Sequence, residues 1–457
     1  MRFCWCHRSR AALCSVRLFD ASAGRGRPDL HWIGYMAVRI LKIGLLGCGT
    51  VGRGLVELVG RNEGLIRQRS GVELRITKIL VRDLEKERHG VDRALLTTHP
   101  DKVLKNGCDL VVELVGGIEP ARSFIEQSLE RGKHVVTANK AVLAVDGFNL
   151  MKTAESKKVR LGFEASVCGG IPIIRALRDG LVGNNIQRLS GILNGTCNYI
   201  LTRMTEDGIE FEDALRQAQI RGFAEADPTL DVDGHDAAQK LKILTELAFS
   251  AQVDADAVKV EGIREIAADD VRAARELGFV IKHVATAELS DDAVSLGCAP
   301  VLLPRSHQLA GIRDENNAVL VRGDAVGEML FSGKGAGSLP SASAVLSDVV
   351  DIACHEGGFS VSPGGRVRAT IREGNSRHYV RFTVGSPGDI GPITTVLERN
   401  GVGVARAAAV WARSEAWKHQ VRVLTHPSSR TALEASLRDI AGSGLEKSKS
   451  VVLQVAD

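Results

Sequence analysis

The stretch "GFAEADPTLDVDGHDAAQKL" places Glu225, Asp227, Asp231, Asp233 and Asp236 ahead of a single lysine, Lys240. Carboxylates crowded on a short segment repel one another unless a cation neutralises them, and a substrate ammonium is one such cation. A lysine beside them is a candidate for moving a proton. Asp236 and Lys240 stand at i and i+4 on a helix expected to begin near Gly234, with Ala237, Leu241 and Leu244 on its buried side. Spacing alone leaves two readings open: a helix ion pair worth about 0.2–0.5 kcal/mol, or a catalytic pair. A free lysine titrates near about 10.4, so a base near neutral pH requires desolvation or a neighbouring cation to lower that value. Lys140 is the expected neighbour. As an acid, Lys240 needs no such shift.

A second constellation precedes it. "VRILKIGLL" has the length and continuous apolar character of a strand buried on both faces. It runs into "GCGTVG" and then the helix-like "RGLVELVGR". In that context Gly47 permits the tight turn, Gly49 lets the backbone approach a pyrophosphate, and Gly52 lets helix pack on strand. Thr50 and Val51 lie in that turn, ahead of the helix whose unpaired N-terminal N–H groups would hold the phosphates. The next strand, "ELRITKILV", ends at Arg82 and Asp83. An acid there favours the ribose of NAD and an arginine the 2′-phosphate of NADP; Arg82, directly after the strand, tilts the reading to NADP. Gly116, Gly117 and Lys140 end later strands, on the edge where ligands of parallel sheets bind.

Two further segments carry oxygen donors. "EASVCGGIP" is a glycine-rich turn preceded by Glu164, and it reads either as a packing turn or as a loop folding carbonyls around a hard cation. "LNGTCN" links a strand to a helix, so Thr196 is either an N-cap or a hydroxyl presented to substrate.

Alternating strands and helices position these groups, and imply an α/β protein with a parallel, Rossmann-type first domain. The 457 residues suggest about three domains. A net charge of +4 is too small to argue for a nucleic-acid partner, and no apolar run has membrane-spanning length. Cys48, Cys108, Cys168, Cys197, Cys298 and Cys354 are too scattered for a disulfide framework or metal cluster, which points to a reducing, cytoplasmic compartment. Residues 1–35 hold six Arg, three Cys and two acids. They read as a targeting leader or as translated upstream sequence before Met36.

In this order, "GLLGCGTVG", "TANKAVLA", "FEASVCGGIPII", "GILNGTCNYILT", "GFAEADPTLDVDGHDAAQKL" and "GKGAGSLPSASAVLSD" resemble the homoserine dehydrogenases over about residues 38–350. The resemblance implies nicotinamide-dependent interconversion of L-homoserine and L-aspartate 4-semialdehyde, in the biosynthesis of threonine, methionine and isoleucine. It implies that Lys240 is the general acid/base, with Asp236 beside it. Gly195, Thr196, Glu225, Asp231 and Asp236 would bind substrate. Gly47, Gly49, Thr50, Val51, Gly52, Arg82, Gly116, Lys140, Gly222, Glu225 and Gly335 would bind NADP or NAD. Glu164, Val167, Gly169 and Ile171 would hold sodium.

Beyond the linker, "HYVRFTVGSPGDIGPITTVLERNGV" has βαββαβ grammar and resembles a ferredoxin-like ACT domain, which implies a paired amino-acid site and threonine as the effector to try. Ser386 stands where an acid is usual, and segment 405–417 reads as irregular. The expected organisation is a leader at 1–37, a nucleotide-binding domain at 38–160, an α+β catalytic and dimerisation domain at 161–350 that returns to the first domain near its end, a linker at 351–377 and the ACT domain at 378–457. A homodimer or tetramer is expected. The competing readings are an amino-acid sensor with an inert dehydrogenase half and a dehydrogenase of another small aldehyde.

Overall fold

The computed structural model describes residues 39–456 except 106, 251, 254–256, 291–292, 356–367, 371–374 and 413–418. The expected leader and most of the expected linker lie outside the described residues.

The first sheet comprises β1 (Arg39–Leu46), β2 (Val72–Leu80), β3 (Leu96–Thr97), β4 (Leu110–Glu113), β5 (His134–Thr137) and β6 (Leu161–Gly162). All neighbours are parallel, in the order β3-β2-β1-β4-β5-β6. Parallel strands covered by helices bury both faces, which is why Ile43 through Leu46 are all buried. The helix Thr50–Arg61 follows β1, and the helix Ser338–Cys354 returns from far along the chain to share its core through Leu55, Leu58, Val345 and Val349. The two helices approach so closely that a Cβ on Gly54 would stand 2.7 Å from the Ser338 carbonyl.

The second sheet adds β7 (Ile186–Ile192), β8 (Lys259–Val260), β9 (Phe279–Ser290), β10 (Ala293–Pro304), β11 (Asn316–Gly323), β12 (Gly327–Lys334) and β13 (Arg368–Thr370). Its main path begins β12-β11-β7-β9-β10, with β8 and β13 also paired to β10. The helix His235–Ala248 lays Ala237, Leu241 and Leu244 into the core formed with β7, β9 and β10, the face expected from its periodicity.

The C-terminal module runs β14 (His378–Val384), helix Ile390–Arg399, β15 (Val404–Trp411), β16 (His419–Thr425), helix Arg430–Gly442 and β17 (Glu446–Val455). This is the expected βαββαβ grammar, in the order β17-β14-β16-β15. The module joins the second sheet where β17 pairs in parallel with β10, Gln454 opposite Val301 and Val455 opposite Leu302. Tyr379 and Arg381 reinforce the join by donating to the buried Asp270 carboxylate at 2.9 and 2.8 Å. One expectation fails here. Residues 404–411 form a strand, because pairing with β16 overrides the low strand propensity of the alanines; residues 413–417 of that segment lie outside the described residues. Among the described residues no helix is long and apolar enough to cross a membrane.

The glycines give a paired prediction. Gly47 has φ +95° and an added Cβ would meet the Leu114 carbonyl at 2.5 Å, whereas Gly60, inside a helix, faces open space. Gly47→Ala should cost about 1–3 kcal/mol, and Gly60→Ala should gain up to about 1 kcal/mol. Urea midpoints check this, and equal midpoints for the two variants would contradict it.

Candidate active site

Gly234 starts the lysine helix in a left-handed conformation, φ +87°, packed so closely that an added Cβ would stand 2.9 Å from Val260 and 3.1 Å from His283 Nε2. That anchoring directs the first turn inward. Lys240 Nζ donates to Asp236 Oδ2 at 2.7 Å and to the Leu193 carbonyl at 2.8 Å. Lys140, first residue of the helix after β5, brings its ammonium to 3.3 Å from Asp236 Oδ1. Asn194 donates to both Asp236 Oδ2 at 2.8 Å and Asp231 Oδ1 at 2.7 Å. Thr196 donates to the Phe223 carbonyl at 2.7 Å, with Asp231 Oδ2 at 3.3 Å. Gly195 opens its helix against the Glu315 carbonyl, 2.6 Å from where a Cβ would lie.

Burial alone would raise the Asp236 carboxyl, but Lys240 and Lys140 pull it down to about 2. Burial alone would likewise lower the Lys240 ammonium; Asp236 outweighs it and holds Lys240 above its ordinary range. The expectation that Lys140 lowers Lys240 is therefore corrected. Lys140 pairs with the Asp236 carboxylate, and that carboxylate favours the charged form of Lys240. Burial raises Asp231, which takes its contacts from Asn194 and Thr196.

The acidic segment does not converge as a whole. Asp227 accepts from the Thr229 N–H at 3.1 Å, and Asp233 pairs with Arg264. Glu225 and Gly222 are exposed on the loop before, where the Glu225 carbonyl accepts from Gln219. Thr196 is not the N-cap. Asn194 fills that role, accepting from the Cys197 N–H at 2.8 Å, and its amide also bridges the two acids. Sequence reasoning missed Asn194, although an Asn before a helix is the strongest class of cap signal. It also missed Asn317, which donates to the Leu193 carbonyl at 2.7 Å. Gly335 leaves room for that amide, since a Cβ there would collide with Asn317 Oδ1.

The glycine loop has the shape a dinucleotide needs. Gly47 turns the chain, an added Cβ on Gly52 would meet the Gly47 carbonyl at 2.6 Å, and Gly49 faces open space at the helix N-terminus. Thr50 is exposed there and Val51 packs on the sheet core. Arg82 is exposed just past β2, while the Asp83 carboxylate accepts from Glu85 and Lys86 N–H groups and so caps its own turn. Arg53 and Arg88 both stand near the Cys48 thiol, opposing the upward push of burial, and add cations that sequence reading did not single out. Gly116 and Gly117 both have positive φ beside open space. Their loop is held by the buried Glu113, which accepts from Val115 N–H at 2.7 Å and Thr137 Oγ1 at 2.6 Å.

Glu164, Val167, Gly169 and Ile171 are buried on one loop. Cys168 has φ +52° and Gly169 +21°, which reverse the chain there. Glu164 accepts from the Ile174 and Arg175 N–H groups at 2.8 Å each, and burial followed by Asp348 raises its carboxyl to about 7. Among the described residues no cluster of three or more His, Cys, Asp or Glu could hold a metal. A cation in this loop would draw mainly on backbone carbonyls.

Family models for "Homoserine dehydrogenase" and "Homoserine dehydrogenase, NAD binding domain" match residues 172–350 and 47–164. A Bacillus subtilis homoserine dehydrogenase is 42% identical over 317 residues, 69% of this chain and 73% of that protein. The crystal structure of a Thiobacillus denitrificans homoserine dehydrogenase superposes with a TM-score of 0.85 at 37% identity, covering 92% of this chain and 99% of that one. A hyperthermophilic archaeal homoserine dehydrogenase in complex with NADPH gives 0.59 at 26% identity, covering 69% and 98%.

Asn194 combines cap and bridge, and substitutions can separate the two. Asn194→Ser keeps a capping oxygen and a donor, whereas Asn194→Asp keeps the cap but adds a third carboxylate against Asp231 and Asp236. The Asp variant should unfold at lower urea than the Ser variant by about 1–3 kcal/mol. Equal stability would show that the amide bridge contributes nothing.

Proposed function

The chain belongs to the homoserine dehydrogenase family, and from that premise we propose how its residues carry out the family's interconversion of L-homoserine and L-aspartate 4-semialdehyde. It is an oxidoreductase acting on a CH–OH group. The carrying observation is the buried Asp236–Lys240 pair, held from three further sides by Asn194, Lys140 and the Leu193 carbonyl.

Bound at the glycine loop, the nicotinamide dinucleotide supplies or accepts hydride at the substrate's C4. Lys240 gives its Nζ proton to the aldehyde oxygen as that carbon is reduced, and takes it back from the hydroxyl in oxidation. Asp236 keeps Lys240 charged until transfer and stabilises its return to the ammonium. Asp231, assisted by Glu225 at the loop edge, suits the substrate's α-ammonium. The first-turn amides at Gly195 and Thr196 suit its carboxylate, because helix N-terminal N–H groups lack intrahelical acceptors. Gly222, Gly335 and Lys140 would border the nicotinamide end of the cofactor.

NADP is the favoured cofactor, supported by Arg82, Arg53 and Arg88 near the glycine loop and by the self-capping of Asp83. Sodium in the Glu164–Ile171 loop is part of the same reading, supported by its backbone carbonyls and reversed backbone. The organisation proposed above is kept, with residues 378–457 as a regulatory ACT-type domain answering to threonine, in a cytoplasmic homo-oligomer. The six described cysteines, all free, suit that compartment. The Ser386 hydroxyl here accepts from the Gly388 N–H and the Ser386 N–H donates to the Asp389 carboxylate, a capping box that keeps the turn without supplying a carboxylate to a ligand.

Two experiments test the assignment. Lys240→Met should bind reduced cofactor normally yet lose about 100- to 10,000-fold in turnover. Asp236→Asn leaves burial to dominate Lys240, so the alkaline limb of the semialdehyde-reduction rate should move to lower pH. Near-normal turnover in the first variant, or an unmoved limb in the second, would reduce the pair to a structural ion pair. Arg82→Ala should weaken NADPH more than NADH, since only the former carries the 2′-phosphate. Equal losses in fluorescence titrations would make Arg82 a turn residue.

A further inference from the structure

A charged lysine carries three N–H donors. Lys240 commits two of them, one to Asp236 Oδ2 at 2.7 Å and one to the Leu193 carbonyl at 2.8 Å. Around a tetrahedral nitrogen two fixed directions fix the third, so the proton left for the substrate oxygen is aimed by those two acceptors. Asp236 is held by Asn194 and Lys140. What holds the Leu193 carbonyl decides the rest.

The ladder between β7 and β11 ends with Ala318 opposite Ile192, and Leu193 is the next residue out. There the side chain of Asn317 takes over, donating Nδ2 to the Leu193 carbonyl at 2.7 Å. A carbonyl oxygen has two lone pairs, so Asn317 and Lys240 share that one atom. Asn317 is itself placed from two sides: its backbone pairs with Gly333 of β12, and Asn198 donates to the neighbouring Asn316 carbonyl at 3.1 Å.

The arrangement is unfavourable for stability. Asn317 is 1% exposed, and its Oδ1 is buried with no hydrogen-bond partner among the described residues. That oxygen is walled in by Gly335 and stands 3.4 Å from where a Cβ on Gly195 would lie. A buried acceptor left unpaired destabilises the fold, and an apolar side chain carries no such penalty. The amide's worth therefore lies in its donor. One N–H of that donor faces only the Cys168 sulfur at 3.5 Å, a weak acceptor; the other meets the carbonyl that also holds Lys240.

We infer that Asn317 is a positioning residue for proton transfer: by fixing the Leu193 carbonyl it aims the uncommitted N–H of Lys240 at the substrate oxygen. In semialdehyde reduction that N–H bond breaks, its proton joins the aldehyde oxygen as hydride from the reduced cofactor reaches the carbon, and a neutral amine remains between Leu193 and Asp236. Asn317 leaves the charge of the lysine to Asp236. This role rests on Lys240 being the proton donor.

Asn317→Ala removes the donor, and Asn317→Asp keeps the shape while setting an oxygen against the Leu193 carbonyl. Either one suffices if the other does not fold. Single-turnover reduction of semialdehyde by NADPH, counted per cofactor-binding site, should slow by at least about tenfold, a loss within the range of general acid catalysis. The KM for semialdehyde and the NADPH affinity should stay near those of the unaltered protein, because the contact matters only in the transition state. The solvent deuterium isotope effect should rise as proton transfer comes to limit the rate. In Asn317→Ala the alkaline limb should stay in place, unlike that of Asp236→Asn. In the same variant without ligands, the Lys240 ammonium signal in nitrogen-15 NMR should persist to the same pH but exchange its protons with water faster. Unchanged single-turnover rates and isotope effects in folded variants overturn this role, as does a loss confined to stability or cofactor binding. Inactive Lys240→Met beside fully active Asn317→Ala overturns the role of Asn317 alone, whereas an active Lys240→Met overturns the assignment of the lysine.

Discussion

A carboxylate and an ammonium can be buried together only if their remaining lone pairs and protons are matched, because each ion has lost its water. Asp236 and Lys240 impose that condition on much of this molecule. Asp236 accepts from Lys240 and Asn194 and faces Lys140, while Lys240 spends a second proton on the Leu193 carbonyl. The end of β7 must therefore deliver Leu193 and Asn194, β11 must deliver Asn317 to the same carbonyl, and the end of β5 must deliver Lys140. Three distant segments converge on one turn of helix.

Close approach has a steric counterpart. Gly335 makes way for Asn317, Gly195 for the Glu315 carbonyl, and Gly234 for Val260 and His283. Each is a place where a methyl group would push a polar partner out of reach. These glycines hold the charged network by absence, as Gly47 and Gly52 do for the dinucleotide loop.

Much of the fold was legible because it rests on local pattern. Continuous apolar strands followed by helices announced the parallel sheet, and i, i+4 spacing put Asp236 and Lys240 on one face. The fate of the other acids was not legible. Asp227, Asp231 and Asp233 look alike in sequence, and only partners sort them: Thr229 takes the first, Asn194 the second, and Arg264 the third. The same limit explains β15, where a neighbour's pairing decided against an alanine-rich composition. Asn194 was within reach, since its capping position is a local signal, but its bridge to two acids is tertiary. The direction of the Lys240 shift was out of reach for a related reason, because it depends on whether Lys140 faces the lysine or the carboxylate.

The central claim is that Asp236 holds Lys240 as an ammonium ready to give up a proton. Nitrogen-15 NMR of the Lys240 Nζ, assigned by comparison with Lys240→Met and followed from pH 6 to 11, tests it directly. The account predicts an ammonium signal that persists past the ordinary lysine value of about 10.4 in the unliganded protein. A neutral amine near pH 7 would contradict it.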